Sequence, residues 1–357
     1  MRQFHQLRVK EVKRETSTCV SVLFDIPAEL KTAFEFRAGQ YLTIRHHLHS
    51  EELRRSYSIC TSPEEDELRI AIKMIENGKF STFANKELQI GEILEVMPPQ
   101  GGFTIDEELF QKKNTFVFFA AGSGITPIMS MIKHLLIAGK DSHILLFYGN
   151  RNTESIIFRE DLEALRNLYH QRLSIHYILS GENPGSDFFY GRINAEKCGK
   201  YAQVFFNPAT VAGFYLCGPA EMIFEAKDKL AELGVSQSKI HFELFTTEGI
   251  KPQVRKVFAS YDPKSESKVE LKLDGVIWDF VLPYGGSSVL DAALTNGADL
   301  PFSCKGGVCS TCKAKVLKGS VEMDINYALE PDEIEAGYVL TCQAHPRSEF
   351  VSIDFDA

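Results

Sequence analysis

A chain of 357 residues, 44% hydrophobic and 24% charged, is long for one core and carries material for two or three. Its formal charge of −9 argues against a nucleic-acid partner, and no apolar run approaches the ~18 residues a membrane-spanning helix needs. The opening Met1-Arg-Gln-Phe-His-Gln-Leu has no apolar core of a secretory signal, so a cytoplasmic, reduced protein is expected.

The charge is unevenly placed. From Glu266 onward there are 15 acidic and 7 basic residues, net −8, which leaves −1 for everything before. An acidic carboxyl-terminal module of this kind would be steered towards a basic docking face on a partner protein; the acid would equally serve to keep the module dissolved.

From Gln3 to about Phe110 the chain alternates short β-branched or aromatic runs (Val20–Ile26, Tyr41–Arg45, Leu68–Ile75) with turn residues, the pattern of an antiparallel β-barrel. Within it Arg55-Ser-Tyr57-Ser58, read as the start of a strand, offers an arginine fork for phosphate, a ring to stack on a flat cofactor and a hydroxyl. Gly78-Lys-Phe80-Ser81-Thr82 is a glycine turn into a helix start, where free N–H groups suit phosphate and an ordinary helix cap is the simpler reading.

From Asn114 the pattern becomes apolar strands alternating with amphipathic helices, which predicts a parallel sheet covered on both faces. Strands are expected at Thr115–Ala121, Ile144–Tyr148, Ile175–Leu179, Phe214–Cys217 and Ile240–Phe245. Helices are expected at about 128–138, at 158–169 and through Leu233. Gly122-Ser123-Gly124-Ile-Thr126-Pro127 lies between the first strand and its helix, where a dinucleotide pyrophosphate meets a helix N-terminus. Cys217-Gly218-Pro219 ends a later strand on the ligand-binding side of such a sheet, although a thiol there is as readily a core residue.

Residues 246–266, with two prolines and no sustained apolar period, read as a linker. Beyond them Val269–Leu273 and Trp278–Leu282 alternate as strands, and Val289–Thr295 reads as a short helix. The expected division is therefore 1–110, 111–245, a linker at 246–266, and 267–357. The last part contains Cys304-x4-Cys309-x2-Cys312, with Cys342 following 30 residues later. That is the spacing of a plant-type [2Fe–2S] ferredoxin, with four thiolates around two irons. Gly306 and Gly307 can bring backbone N–H groups to the sulfurs. Zinc sites pair their ligands more symmetrically, and disulfides do not suit a chain without a secretory signal. The other cysteines, Cys19, Cys60, Cys198 and Cys217, read as reduced core thiols.

Taken in order, Arg-x-Tyr-Ser, Gly-x-x-Ser, Gly-Ser-Gly-Ile-Thr-Pro and Cys-Gly-Pro on a barrel followed by a parallel sheet resemble the ferredoxin–NADP reductase superfamily. The fused ferredoxin makes the whole chain similar to one-component reductases that serve oxygenases. Glu51–Cys60, Tyr148-Gly-Asn-Arg151, Cys304–Cys309 and Asn326–Glu333 resemble the reductase subunits of ring-1,2-phenylacetyl-CoA epoxidases in particular; steroid-hydroxylase reductases share the layout. The resemblance implies an NAD(P)H-dependent oxidoreductase with FAD and a [2Fe–2S] cluster. Its customer would be a di-iron epoxidase or, alternatively, another oxygenase, hydroxylase or desaturase. A flavin and iron–sulfur redox sensor is the reading from a different class.

The resemblance also implies residue roles. Arg55, Gly78, Phe80, Ser81 and Thr82 would hold the FAD phosphates. Tyr57 would stack on the flavin, and Ser58 would stand where hydride arrives. Gly122, Ser123, Gly124, Thr126 and Arg151 would border the nicotinamide dinucleotide. Cys217, Gly218 and Pro219 would flank the nicotinamide, Ser58 and Cys217 being the catalytic pair, and Phe245 would approach the flavin. The ligands of the cluster would be Cys304, Cys309, Cys312 and Cys342. Arg151 and Arg192 could receive a 2′-phosphate, yet Ser180-Gly181-Glu182 carries glycine where some relatives have arginine, so NADH and NADPH both stay open.

Overall fold

Two compact units emerge in the computed structural model, one spanning Phe4–Phe245 and the other built on the residues that follow. The structure describes residues 3–48, 50–139, 141–245 and 265–357. The expected linker, 246–266, lies outside the described residues apart from its last two.

The first unit opens with β1 (His5–Thr16), β2 (Cys19–Asp25), β3 (Tyr41–Leu48), β4 (Glu51–Ser58) and β5 (Leu68–Lys73), then α1 (Lys79–Lys86) and β6 (Ile93–Gln100). The six strands form one antiparallel sheet in the order β4-β3-β6-β1-β2-β5, and an Ile59–Ile70 bridge joins its two ends into a barrel. Leu7, Val9, Val22, Leu42, Ile44, Ile70 and Val96 fill the interior, the inward members of strands that alternate in and out. Arg55–Ser58 ends β4 rather than starting a strand, because β3 and β4 form a hairpin whose turn, with Ser50 at φ 68°, precedes the charged run Glu51–Arg54.

The chain continues through α2 (Glu107–Phe110), β7 (Thr115–Ala121), α3 (Ile125–Ile137), β8 (His143–Asn150), α4 (Arg159–Leu168), β9 (Leu173–Leu179), α5 (Ala195–Val204), β10 (Gly213–Cys217), α6 (Ala220–Glu232) and β11 (Ile240–Glu243). The five strands pair in parallel in the order β11-β10-β7-β8-β9. Phe116 to Ala120 are fully buried, as a central parallel strand demands. Helix α3 is apolar nearly all round because it is covered twice, by this sheet and by the barrel. Three contacts fix the barrel to it: Ser130 Oγ donates to the Thr61 carbonyl, Lys133 Nζ pairs with Glu65 at 2.8 Å, and His134 Nδ1 meets Glu64 at 2.8 Å.

The second unit holds β12 (Glu266–Leu273), β13 (Val276–Pro283), α7 (Val289–Thr295), β14 (Lys313–Lys318), β15 (Val321–Met323), α8 (Pro331–Glu335), β16 (Tyr338–Leu340), β17 (Ala344–Pro346) and β18 (Phe350–Asp354). Its mixed five-stranded sheet, β13-β12-β18-β14-β16, packs on α7 through Val269, Leu271, Val289, Leu290, Ala293 and Ile353. A two-stranded ladder, β15-β17, stands beside it. Among the described residues no helix is long and apolar enough to cross a membrane.

Candidate functional site

In the first unit, side chains from the barrel and from the parallel sheet converge. Ser58 is the last residue of β4, and its Oγ donates to Glu243 Oε2 at 3.3 Å. Glu243 ends β11, in register with Cys217 at the end of β10. Enclosure by protein pushes the Glu243 carboxyl up to about 8 against the opposing hydrogen bond from Ser58. The same burial, with Glu243 beside it, drives the Cys217 thiol well above its ordinary value. This corner therefore holds a proton, and Cys217 is a thiol there rather than a thiolate.

Two helix starts in the same unit follow the glycine turns read from the sequence. Helix α1 begins after Gly78 and α3 after Gly124, and neither has a side-chain cap on its first N–H groups. The Ser81 and Thr126 hydroxyls at these turns are already engaged. Ser81 Oγ accepts from the Ile75 N–H and donates to the Gly78 carbonyl, both at 3.3 Å, while Thr126 Oγ1 donates to the Ser123 carbonyl at 3.0 Å. At α1 the N–H groups that follow Gly78 are left without a side-chain acceptor, the arrangement that suits a phosphate, whereas at α3 the Ile125 N–H already donates to the Gly122 and Ser123 carbonyls. A cleft of about 420 Å³ opens at α1, lined among others by Leu48, Gly78, Thr82 and Phe83, with the Lys79–Glu51 ion pair at its edge. Arg55 is exposed, and Tyr57 lies 5.8 Å from the Phe80 ring with its hydroxyl raised by burial.

Glycine is required in the second turn. Gly122 has φ +54°, and a Cβ on Gly124 would stand 2.1 Å from the Cys217 carbonyl oxygen, so the turn can press on the end of β10 only without a side chain. A Cβ on Gly122 would lie 3.3 Å from Lys73 Nζ, which puts a barrel ammonium over the turn. Gly218 packs against Ala121, Pro219 is exposed, and Phe245 is exposed at the unit's end. Arg151 and Arg192 stand apart from this corner: Arg151 lies across Gly181, and Arg192 pairs with Glu221 at 3.7 Å. Glu182 is anchored by the Thr153 N–H and hydroxyl at 2.7 and 2.8 Å. Lys73 and Glu243 are the members of this site that sequence reasoning missed.

In the second unit the four cysteines come as two pairs. Cys309 Sγ donates to Cys304 Sγ at 3.1 Å, and Cys312 bonds to Cys342. In each pair one thiol is held low by its partner's S–H, Cys304 and Cys342, and the other is pushed high. The Gly306 N–H donates to Cys304 Sγ at 3.3 Å. Gly307 has φ +73°, where a Cβ would meet the Ile325 carbonyl at 3.0 Å. Among the described residues no three His, Cys, Asp or Glu side chains converge on one metal ion. The two sulfur pairs form a donor set that would suit a [2Fe–2S] cluster. The four free cysteines expected in the core are buried, and none is in a disulfide.

The chain matches the oxidoreductase FAD-binding domain over residues 6–105, the oxidoreductase NAD-binding domain over 118–228 and the 2Fe-2S iron-sulfur cluster binding domain over 271–347. It is 43% identical to one of the subunits of the 1,2-phenylacetyl-CoA epoxidase of Escherichia coli (strain K12), with 100% of this chain and 99% of that protein covered. The ferredoxin reductase component of the 3-ketosteroid-9-alpha-monooxygenase of Rhodococcus rhodochrous is 32% identical, over 98% of this chain and 96% of that one. Among solved structures, phthalate dioxygenase reductase shares the fold, with a TM-score of 0.59 at 23% identity over 99% of this chain and 98% of that chain.

Proposed function

Because the chain belongs to the ferredoxin–NADP reductase superfamily, as an oxygenase reductase with its ferredoxin fused at the carboxyl end, we propose a residue-level electron path and a particular customer for it. When bound, the cofactors supply hydride transfer from NAD(P)H to flavin and single-electron transfer onward through the cluster, while the protein supplies position and electrostatics.

On this reading Arg55 and the N–H groups that follow Gly78, shaped by Phe80, Ser81 and Thr82, hold the FAD pyrophosphate. Tyr57 would stack on the flavin. Ser58, which donates to Glu243, would stand where hydride arrives, and the pair would keep a proton there. Gly122, Ser123, Gly124 and Thr126 form the turn that receives the dinucleotide pyrophosphate, and the Lys73 ammonium adds charge to it. Cys217, Gly218 and Pro219 would border the nicotinamide, Arg151 would serve the adenosine side, and Phe245 would approach the flavin. Cys304, Cys309, Cys312 and Cys342 are the cluster ligands. The observation that carries this path is the meeting of Ser58 with Glu243, in register with Cys217, across the boundary between barrel and sheet.

The customer is the di-iron phenylacetyl-CoA epoxidase, and end-to-end identity of 43% with a component of the enzyme of that name supports it. The reading places the chain in the cytoplasm. Reconstitution tests it: the purified chain should drive NAD(P)H-dependent epoxidation of phenylacetyl-CoA with the other epoxidase components and should fail to drive a 3-ketosteroid monooxygenase. The reverse result would contradict it.

A further inference from the structure

Gln343 follows the fourth cysteine and is buried, although its side chain is polar. Its backbone is fixed at both ends, the N–H donating to the Leu340 carbonyl at 2.9 Å and the carbonyl accepting from the Asp324 N–H at 2.9 Å. The Gln343 stem packs on the cluster loop: a Cβ on Gly307 would stand 3.3 Å from Gln343 Cγ. The amide Nε2 then makes two contacts, donating to the Lys305 carbonyl at 3.0 Å and to Cys342 Sγ at 3.6 Å.

These two acceptors belong to different halves of the site. Lys305 lies in the loop between Cys304 and Cys309, in the left-handed region at φ 51°, a conformation that a non-glycine residue holds only when its surroundings impose it. Cys342 belongs to the other sulfur pair. Thr341 ties that pair together internally, its N–H and hydroxyl both donating to the Cys312 carbonyl at 3.2 and 3.0 Å. Gln343 is thus a side chain that spans both pairs.

Resting on the cluster reading above, we propose that Gln343 is a positioning residue that locks the Cys304–Cys309 loop to Cys342 and, by donating an N–H to the Cys342 sulfur, raises the reduction potential of the bound cluster. The physical reason is charge. A cluster that has accepted one electron from the flavin carries one more negative charge, shared over its sulfurs, and an N–H aimed at a ligand sulfur stabilises that form more than the oxidised one. The backbone donor Gly306 serves Cys304 in the same way; Gln343 serves the opposite pair with a group that mutation can remove.

The test uses the full chain loaded with cluster, as wild type, Gln343→Met and Gln343→Glu. Iron and acid-labile sulfide are counted, and the midpoint potential is read from the EPR signal of the reduced cluster. Methionine keeps length and volume without an N–H; glutamate keeps the shape and replaces the donor with a carboxylate. The expected result is unchanged iron content with electron affinity about tenfold weaker in Gln343→Met, which is 59 mV for a one-electron couple, and weaker still in Gln343→Glu. Should Gln343→Met fail to hold iron, Gln343→Glu carries the measurement. A potential equal to wild type in either loaded variant overturns the proposal. A wild-type chain without iron and sulfide would instead overturn the cluster reading, and the proposal with it.

Discussion

The corner at Ser58, Cys217 and Glu243 and the loop at Cys304 to Cys342 handle negative charge in opposite ways. In the loop, thiols lie in close pairs and N–H groups from Gly306 and Gln343 point at sulfur, so anionic ligands are accommodated. At the corner, a carboxyl and a thiol are buried side by side, with the Ser58 hydroxyl as donor to the carboxyl, and both groups keep their protons. The loop surrounds its sulfurs with N–H donors, whereas the corner favours the protonated forms of its carboxyl and thiol.

Removing one sulfur should separate the two sites most sharply. In Cys309→Ser, cytochrome c reduction is expected to fall by at least about a hundredfold, because a ligand is worth more than the second-sphere contacts that cost 10–100-fold. Ferricyanide reduction by NAD(P)H should stay within about twofold of wild type. Equal loss of both rates would show that the corner does not work without the loop.

Glu243 gives the next largest effect, read as stability against pH. Its carboxyl keeps a proton in the fold up to about pH 8, against 4.5 for the free group. Between those values the native state binds more protons than the unfolded one, so stability falls as pH rises. The full difference is on the order of 5 kcal/mol at ~1.4 kcal/mol per pH unit, as an upper bound. The melting temperature of the wild type should therefore decline between about pH 5 and 8 relative to Glu243→Gln and run parallel to it above that range. Parallel curves throughout would mean that the corner does not hold its proton.

Lys73 sharpens the comparison from the other side, since its ammonium lies over the Gly122 turn proposed to receive the dinucleotide. Lys73→Met should raise KM for NAD(P)H about tenfold, the worth of one charge-assisted contact, with kcat little changed. The difference from wild type should shrink as salt is added. A KM that does not move would remove Lys73 from the nucleotide site.

The two sites were not equally legible in the sequence. Three cysteines within nine residues and a fourth 30 residues on announce a cluster because its ligands are mostly local. Gly122 and Gly124 could be read for the same reason, as they serve a turn within one β-strand and helix. Glu243 sits in an unremarkable strand, Ile-His-Phe-Glu, and gains its role only when a hydroxyl 185 residues away is brought to it. Lys73 looks like one more outward residue of a barrel strand until folding lays it over Gly122. Helix α5 escaped notice because Gly199 interrupts it and only three of its residues are buried; Asn194, whose side chain accepts from the Lys197 N–H at 2.9 Å, was the available start signal. Gln343 was in plain view beside Cys342, but its work depends on a loop whose path the spacing does not specify.

The central claim, that electrons pass from NAD(P)H through the flavin corner to the cluster loop, is tested most directly by anaerobic stopped-flow mixing of the full chain with NAD(P)H, following flavin and cluster absorbance together. Flavin bleaching should come first, with cluster bleaching as a later phase, and in Cys309→Ser the first phase should persist alone. Cluster bleaching that precedes the flavin phase, or that proceeds without it, would contradict the account.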